Sequence, residues 1–272
     1  MEFFEKFLSD VEKSKAFDAA LYTLRNAGKR IRPNLVFETA ALFGIKDENV
    51  ERIACAAELI HNYSLIHDDL PCMDDDDFRR GKPSCHKVFG EGTAVLAGDG
   101  LLNLAAEVLT RGCYGENYFR AIGRLFSCTG FNGMISGQSC DIDDLKQKDQ
   151  KTLLFLTERK TVRLFEGAML AAADYCGADN VQTEALKSFA QSFGFAFQIK
   201  DDLLDDGTEP DKLTFLSVYG EKAESLLEEY SQKAIESMHP FGDRSAYFVD
   251  LVKKNLDLSL IHISEPTRHL RI

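Results

Sequence analysis

The sequence predicts an all-α fold, a single-domain bundle of about ten helices, and three observations support this. Apolar residues recur at helical spacing along several long segments. Only six prolines interrupt the 272 residues, so long stretches rich in Ala, Leu, Glu and Lys lack helix breakers. Alternating strand patterns bounded by turns are scarce.

The helical segments follow one another along the chain. Residues 1–17 are acidic and amphipathic, without the basic and apolar regions of a signal peptide. Residues 53–67 place apolar or aromatic groups on one helix face, at Ile53, Ala56, Ala57, Ile60, Tyr63 and His67. Similar patterns predict helices over 94–109, 161–177 and 185–204. Some of these segments are apolar almost all round, which predicts a central place in the bundle.

The composition excludes several classes of partner. A net charge of −12 and a pI near 5.0 argue against nucleic acid, whose phosphates bind basic surfaces. No apolar run approaches the ~20 residues that cross a bilayer, so we expect no membrane span. Seven cysteines without a C-x-x-C pair indicate free thiols, packed as small apolar groups, in a reducing cytoplasm.

The stretch HDDLPCMDDDDFRRGKP holds six aspartates followed by two arginines. An apolar helix leads to Asp68 and Asp69, and Pro71 is expected to end it. The residues after Pro71 would loop Asp74 back beside Asp68. The remaining three aspartates, 75–77, are expected to be solvated or paired.

A second acidic motif, FQIKDDLLDD, also ends an apolar segment. On a helix, Asp201 and Asp205 stand one turn apart, and Gln198 lies one turn earlier on about the same face. Facing carboxylates from two helices suit Mg²⁺, which would bridge to a diphosphate and make it a better leaving group. A solvated acidic surface is the alternative for a single motif, whereas two motifs favour a metal site.

Five motifs resemble the trans-isoprenyl diphosphate synthase (polyprenyl synthetase) family, and most of all bacterial-type farnesyl diphosphate synthases. They are AGKRIRP (27–33), HNYSLIHDDLPCMDDDDFRRGKPSCHKVFGE (61–91), GMISGQSCDID (133–143), ERKT (158–161) and FQIKDDLLD (197–205). The resemblance covers about residues 20–255 and implies an isoprenoid synthase fold around a deep central cavity, usually as a homodimer. It also implies a reaction, in which isopentenyl diphosphate condenses with dimethylallyl or geranyl diphosphate to give farnesyl diphosphate.

The resemblance further implies the site residues. Three Mg²⁺ ions, with Mn²⁺ as an alternative, would be bound by two aspartate sets, namely Asp68, Asp69 and Asp74, and Asp201, Asp202 and Asp205. The substrates would be bound by Lys29, Arg32, His61, Arg79, Arg80, Lys160, Thr161, Gln198 and Lys212. The catalytic set would be Asp68, Asp69, Asp74, Lys160, Thr161, Gln198 and Asp201. From the residues alone, AGKRIRP also fits an ordinary basic turn, and His61 and Thr161 also fit packing roles.

Tyr63 and Ser64 are candidates for setting the product length. Tyr63 precedes Asp68 by five residues, which places it ~7.5 Å farther along a helix axis. In the family, an aromatic residue at this position accompanies a C15 product, because a bulky ring would stop the growing chain. A core tyrosine is the alternative interpretation.

The chain departs from the family pattern in two places. DDGTEPDKLTF runs directly from the second aspartate motif to Lys212, without the usual glycine- and lysine-containing loop. Either the protein has a shortened lid or the given chain omits a mobile loop, and a true deletion would weaken allylic diphosphate binding and closure. FVDLVKKNL (248–256) matches the family's last helix, but LSLIHISEPTR resembles a translated sequencing adaptor. We therefore expect a synthase domain over 1–257 and a non-native tail over 258–272.

Three alternatives to a farnesyl diphosphate synthase remain open on the sequence. A geranylgeranyl diphosphate synthase belongs to the same class. A non-catalytic partner subunit of a synthase would agree with the missing loop but would not need intact aspartate motifs. An acidic helical scaffold that binds divalent ions would not need AGKRIRP, Lys160 or Gln198.

Overall fold

The structure is a computed structural model that describes residues 2–26, 28–112, 115–143, 147–204 and 213–263. Over these residues the chain forms fourteen α-helices: α1 (Glu2–Leu8), α2 (Lys15–Arg25), α3 (Ile31–Leu42), α4 (Glu48–Asp68), α5 (Cys85–Phe89), α6 (Glu91–Thr110), α7 (Glu116–Thr129), α8 (Met134–Asp141), α9 (Gln150–Leu156), α10 (Arg163–Cys176), α11 (Asn180–Leu204), α12 (Phe215–Tyr219), α13 (Lys222–Ser237) and α14 (Ala246–Ile263). A π-helical turn, Thr157–Val162, joins α9 to α10, and a 3₁₀ segment, His239–Ser245, precedes α14.

The predicted all-α class is confirmed. The only strands in the described ranges are β1 (Phe78–Arg79) and β2 (Lys82–Pro83), which pair antiparallel with Phe78 opposite Pro83. Nine of the helices have eleven or more residues, close to the predicted ten. The additional ones are short, and short helices lack the several apolar repeats by which a pattern is recognised.

The predicted helices match the observed ones closely. Segments 53–67, 94–109 and 185–204 lie inside α4, α6 and α11. The prediction over 161–177 is wrong at its start, because residues 161 and 162 belong to the π-helical turn.

Two compact units divide the chain. The first unit is Met1–Thr129 with Gly167–Ala178, and the second unit is Gly130–Glu166 with Asp179–Ile272. The single domain expected over 1–257 stays a prediction.

The first unit is built on α4, which packs against α3 and α6. Most α4 side chains are buried, among them Ile53, Leu59 and Ile66, as expected for a helix that is apolar almost all round. The His67 ring lies over Gly98 of α6, where an added Cβ would lie less than 3.0 Å from three ring atoms. Glycine is therefore what allows this close approach.

A polar group closes the N-terminal end of α4. The Asp47 carboxylate caps the helix by accepting from the Val50 N–H at 3.0 Å, and it accepts from the Tyr175 hydroxyl at 2.6 Å. Asn49 donates to the same hydroxyl at 3.1 Å. The first unit thus needs a residue from its later segment, Gly167–Ala178, to complete this end of its central helix.

The second unit is built on α11, which packs against α13, α14 and the π-helical turn. Its core contains a cluster of aromatic rings with centroids 5.1–5.6 Å apart: Phe165, Phe189, Phe193, Phe197 and Phe248. Phe189 and Phe193 stack, and the other three ring pairs pack edge to face; both arrangements add to the free energy of burial. The Phe-rich run that precedes the second aspartate motif is therefore core, as predicted.

Within the described part of the chain, α6 alone has the length and hydropathy of a membrane span. It packs against α2 and α4, and 44% of its most apolar window is buried. Core helices of folded domains meet the same two criteria. The sequence expectation of no such apolar run was too strict for this helix.

The expected non-native tail begins inside α14. The helical backbone continues to Ile263, six residues beyond the expected boundary at 257. Residues 264–272 lie outside the described ranges. The assignment of 258–272 as a tail stays a prediction.

Candidate functional site

The first aspartate motif lies where α4 ends. Asp68 is the last helical residue and Asp69 the C-cap, followed within two residues by Pro71, as predicted. The Asp74 N–H then donates to the Asp68 carbonyl oxygen at 2.9 Å. This bond confirms that the chain turns back after the proline and brings Asp74 beside the helix end.

Asp69 is buried and holds an arginine. Arg79 donates from Nε to Asp69 Oδ1 at 2.8 Å and from Nη2 to the same oxygen, while Nη2 also donates to Asp76 at 2.8 Å. The Asp69 side chain is only 3% exposed, so the guanidinium compensates a charge that water does not reach. Asp77 pairs with Lys87 at 2.6 Å, which confirms pairing for two of the three later aspartates.

The predicted basic residues of the first unit come from two separate segments. Arg32, in the first turn of α3, donates from Nη1 to His61 Nε2 at 3.2 Å. Arg80 donates to the Asn26 carbonyl oxygen at 3.1 Å, and its guanidinium covers Gly28, where an added Cβ would lie 3.0 Å from Arg80 Cζ. Gly28 of the AGKRIRP motif therefore lies against Arg80, the second arginine after the aspartates.

His61 is held in its neutral form. Burial lowers its pKa well below the ordinary 6.5, and the Arg32 charge lowers that pKa further. Because Arg32 can only donate, Nε2 of His61 must be the acceptor and Nδ1 carries the proton. Lys29 is exposed at the edge of the same motif.

Backbone strain accompanies these residues. Arg30, Asp75 and Arg80 adopt positive φ values of 49°, 51° and 54°. These are the only non-glycine residues with positive φ in the described ranges. Arg30 lies in AGKRIRP, and Asp75 and Arg80 lie in the segment 61–91 that contains the first aspartate motif. Strained backbone of this kind clusters at functional sites.

Tyr63 is buried, with 7% of its surface exposed, in the part of α4 that precedes Asp68. Burial raises the pKa of its hydroxyl to about 12, with a smaller contribution from Asp68. Its ring meets the His67 ring edge-on at 5.8 Å between centroids. Ser64 donates to the His61 carbonyl oxygen at 2.9 Å.

Three predicted residues of the second unit form a linked group with two aspartates. Lys160 donates to Asp141 Oδ2 at 2.8 Å, and the adjacent Thr161 donates to Gln198 Oε1 at 2.8 Å. Gln198 donates from Nε2 to Asp202 Oδ1 at 2.9 Å. The amide of Gln198 is therefore fixed in orientation by partners at both ends.

Asp202 also binds the backbone that follows the motif. Its second oxygen accepts from the Phe215 N–H at 2.7 Å, at the start of α12. Asp201 is exposed near the end of α11. Asp205 and Lys212 lie outside the described residues, as does the segment expected to lack a loop.

The donor chemistry of the two motifs fits a hard divalent cation. Asp68 is half-buried, and Asp74 and Asp201 are exposed, so all three offer carboxylate oxygens of the kind that Mg²⁺ binds. No three His, Cys, Asp or Glu side chains form a metal-binding group within the ranges described. The convergence of the two motifs on shared ions stays a prediction.

The sequence did not indicate three of these partners. Asp141 was part of a quoted motif but had no predicted role, because it lies nineteen positions before Lys160 in the sequence. Bonds from Arg79 to Asp69 and from Phe215 to Asp202 join residues ten or more positions apart, and no local pattern predicts such pairs.

Comparison with known proteins gives the family. Residues 14–214 match the family model described as Polyprenyl synthetase. The chain is 37% identical over 254 residues to a chloroplastic geranylgeranyl pyrophosphate synthase of Catharanthus roseus, covering 86% of this chain and 71% of that protein. It is 44% identical over 195 residues to the farnesyl diphosphate synthase of Bacillus subtilis (strain 168), covering 70% of this chain and 66% of that protein.

Solved structures give the same answer. A geranyltransferase from Legionella pneumophila superimposes with a TM-score of 0.88 at 33% identity, covering 96% of this chain and 93% of that one. An FPP/GFPP synthase from Zymomonas mobilis superimposes with a TM-score of 0.86 at 37% identity, covering 93% of each chain. The fold is therefore of the isoprenoid synthase type, as the sequence predicted. The chain belongs to the polyprenyl synthetase family, whose members are prenyltransferases.

Proposed function

We propose that the protein is a Mg²⁺-dependent trans-prenyltransferase that condenses isopentenyl diphosphate with dimethylallyl and geranyl diphosphates to give farnesyl diphosphate. The observation that carries the proposal is the linked group Lys160, Thr161, Gln198 and Asp202 in the second unit. Lys160 supplies a cation, and the adjacent Thr161 together with Gln198 supplies fixed hydroxyl and amide dipoles. Ionisation of an allylic diphosphate needs both, one for the leaving group and one for the carbocation.

The allylic diphosphate would be bound by Lys160 and Arg79. Asp141 holds the Lys160 ammonium, and Asp69 with Asp76 holds the Arg79 guanidinium. Each cation therefore has a fixed orientation within its own unit, which supports a binding role. A planar guanidinium suits bidentate contacts to phosphate.

Asp68, Asp74 and Asp201 are the proposed metal ligands with the most accessible carboxylates. Asp69, Asp202 and Asp205 complete the two motifs in this proposal. Bound Mg²⁺ would neutralise charge on the diphosphate and make it a better leaving group. Of the completing residues, Asp69 also orients Arg79, and Asp202 also orients Gln198.

The isopentenyl diphosphate would be bound by Arg32, Arg80, Lys29 and His61, and Lys212 would assist on the allylic side. His61 supports this role as a neutral acceptor that orients Arg32. A carboxylate in its place would compete with the diphosphate for the positive charge of Arg32. Arg80 itself has a positive φ, and Arg30, two residues before Arg32, has another, which agrees with a site whose geometry is imposed by its surroundings.

A farnesyl product is supported by the buried ring of Tyr63. The relatives of this chain divide between farnesyl and geranylgeranyl diphosphate synthases, so a C20 product is the second candidate. The observation that favours it is that the Catharanthus roseus geranylgeranyl synthase aligns over a longer part of this chain than the Bacillus subtilis farnesyl synthase does.

The proposal includes a cytoplasmic homodimer. Four cysteines in the described residues, Cys55, Cys72, Cys85 and Cys176, carry free thiols, which agrees with a reducing compartment. On α6, Val95 and Leu96 are 39% and 61% exposed, and a second copy of the chain is the proposed cover. Sedimentation of the purified protein at twice the mass of one chain is the expected result.

One incubation tests the catalytic proposal. Purified protein is supplied with Mg²⁺, dimethylallyl diphosphate and isopentenyl diphosphate, and the dephosphorylated products are identified by mass spectrometry. Farnesol as the main product supports the proposal, and geranylgeraniol supports the second candidate. No prenyl product from folded protein would contradict both and favour a non-catalytic partner subunit or a cation-binding scaffold.

A further inference from the structure

The π-helical turn Thr157–Val162 carries two of the proposed catalytic residues, Lys160 and Thr161. Hydrogen bonds in such a turn join residues five apart, so the turn is wider than the α-helix on either side. Wide turns are uncommon and persist where neighbouring groups hold them. The residues that hold this one are therefore of functional interest.

An ion pair spans the turn from one end to the other. Arg163 donates from Nη2 to Glu158 Oε1 at 2.8 Å, across five residues. On a regular α-helix, side chains five residues apart point about 140° away from each other. In the wide turn the fifth residue returns above the first, so the pair matches the π geometry and would not match an α-helical one.

Arg163 is itself anchored in the core of the second unit. Its Nη1 donates to Glu166 Oε1 at 3.2 Å, and the Glu166 side chain is only 5% exposed. Gln191 of α11 donates to the other oxygen of Glu166 at 3.3 Å. The guanidinium therefore links a buried, fixed carboxylate to the first turn of the π segment.

Two glycines bring neighbouring helices onto the same turn. An added Cβ at Gly137 of α8 would lie 2.5 Å from the backbone nitrogen of Lys160 and 2.8 Å from Arg159 Cβ. An added Cβ at Gly194 of α11 would lie 2.9 Å from Val162 Cγ2. The backbones of α8 and α11 thus pack directly on both sides of the turn, so a change in the width of the turn would disturb this packing.

We propose that Glu158 and Arg163 are positioning residues, which hold the π-helical turn so that Lys160 and Thr161 point to different partners. The turn directs Lys160 to Asp141, the last residue of α8, and Thr161 to Gln198 on α11. This inference rests on the proposed function, because it assigns the turn to the allylic half of that reaction.

Steady-state kinetics of the full-length enzyme test the role. Glu158→Ala should raise KM for the allylic diphosphate about fivefold to tenfold and lower kcat, since a charge-assisted bond between partly exposed groups is lost. KM for isopentenyl diphosphate should stay unchanged, and Glu158→Gln should restore part of the loss, because the amide oxygen still accepts from Arg163. The matched control is Glu184→Ala, which removes an exposed carboxylate 3.8 Å from Lys187 on α11 and should change nothing.

Backbone amide exchange gives a second, activity-independent measurement. Exchange over residues 157–163 should be faster in Glu158→Ala than in the unmodified protein and unchanged in Glu184→Ala. Unchanged exchange, or an equal rise in both KM values, would overturn the proposal. If the unmodified protein makes no prenyl product, the proposed function fails, while exchange still decides whether the ion pair holds the turn.

Discussion

Replacement of Tyr63 by alanine tests whether this ring limits the product. Tyr63 lies five residues before Asp68 in α4, about 7.5 Å farther along the axis and rotated by about 140°. Tyr63 is only 7% exposed, so truncation of its ring would leave a space that the helix backbone cannot close. A chain that grows from the aspartates past this level should enter that space, and products longer than C15 should appear.

The assay compares the lengths of dephosphorylated products by mass spectrometry. Loss of a buried aromatic ring costs about 3–5 kcal/mol of folding free energy, so the variant must first be shown to be folded by circular dichroism. Tyr63→Phe is the matched control, because it keeps the ring and should keep a C15 product. A folded, active Tyr63→Ala enzyme with an unchanged product profile would refute the argument and assign Tyr63 to the core alone.

Three further predictions concern stability. The folded pKa of His61 lies below its unfolded value of 6.5, so the stability that this residue contributes is present above pH 6.5 and is lost as the pH falls. Between pH 7.5 and 5.5, the free energy of urea unfolding should fall by about 1 kcal/mol more in the unmodified protein than in His61→Gln, and equal falls would contradict this. Gly98→Ala should destabilise by about 1–3 kcal/mol because the new methyl group meets the imidazole above it, whereas Gly100→Ala, with nothing within 4 Å, should be neutral or stabilising; equal melting temperatures would argue against the close approach. Arg79→Gln should lower the free energy of unfolding by about 2 kcal/mol because it leaves the Asp69 carboxylate buried without its cation, and adding Asp69→Asn should recover part of that loss. An unchanged urea midpoint for Arg79→Gln would show that the Arg79–Asp69 pair contributes little.

The long helices could be predicted because apolar periodicity over many residues is a strong signal. Helix α4 was found within five residues at its start and one at its end, and Pro71 fixed the place where it stops. The return of Asp74 toward Asp68 also followed from the proline and the residues after it.

Tertiary partners were much harder to predict. The bond from Lys160 to Asp141 spans nineteen positions, and that from Thr161 to Gln198 spans thirty-seven. Such pairs depend on how whole elements pack, which a local pattern does not encode. The π-helical turn was missed for a related reason, since one wide turn barely changes the apolar period of the surrounding helix.

The discontinuous first unit has a consequence for synthesis on the ribosome. Arg124 pairs with Asp174 at 2.9 Å, and Asp47 binds Tyr175 at 2.6 Å, so the early helices need residues that emerge about fifty to one hundred and thirty positions later. A nascent chain stopped after Thr129 therefore lacks part of its own first unit. We expect such truncated chains to be protease-sensitive, and chains that extend past Ala178 to gain protection over their N-terminal helices.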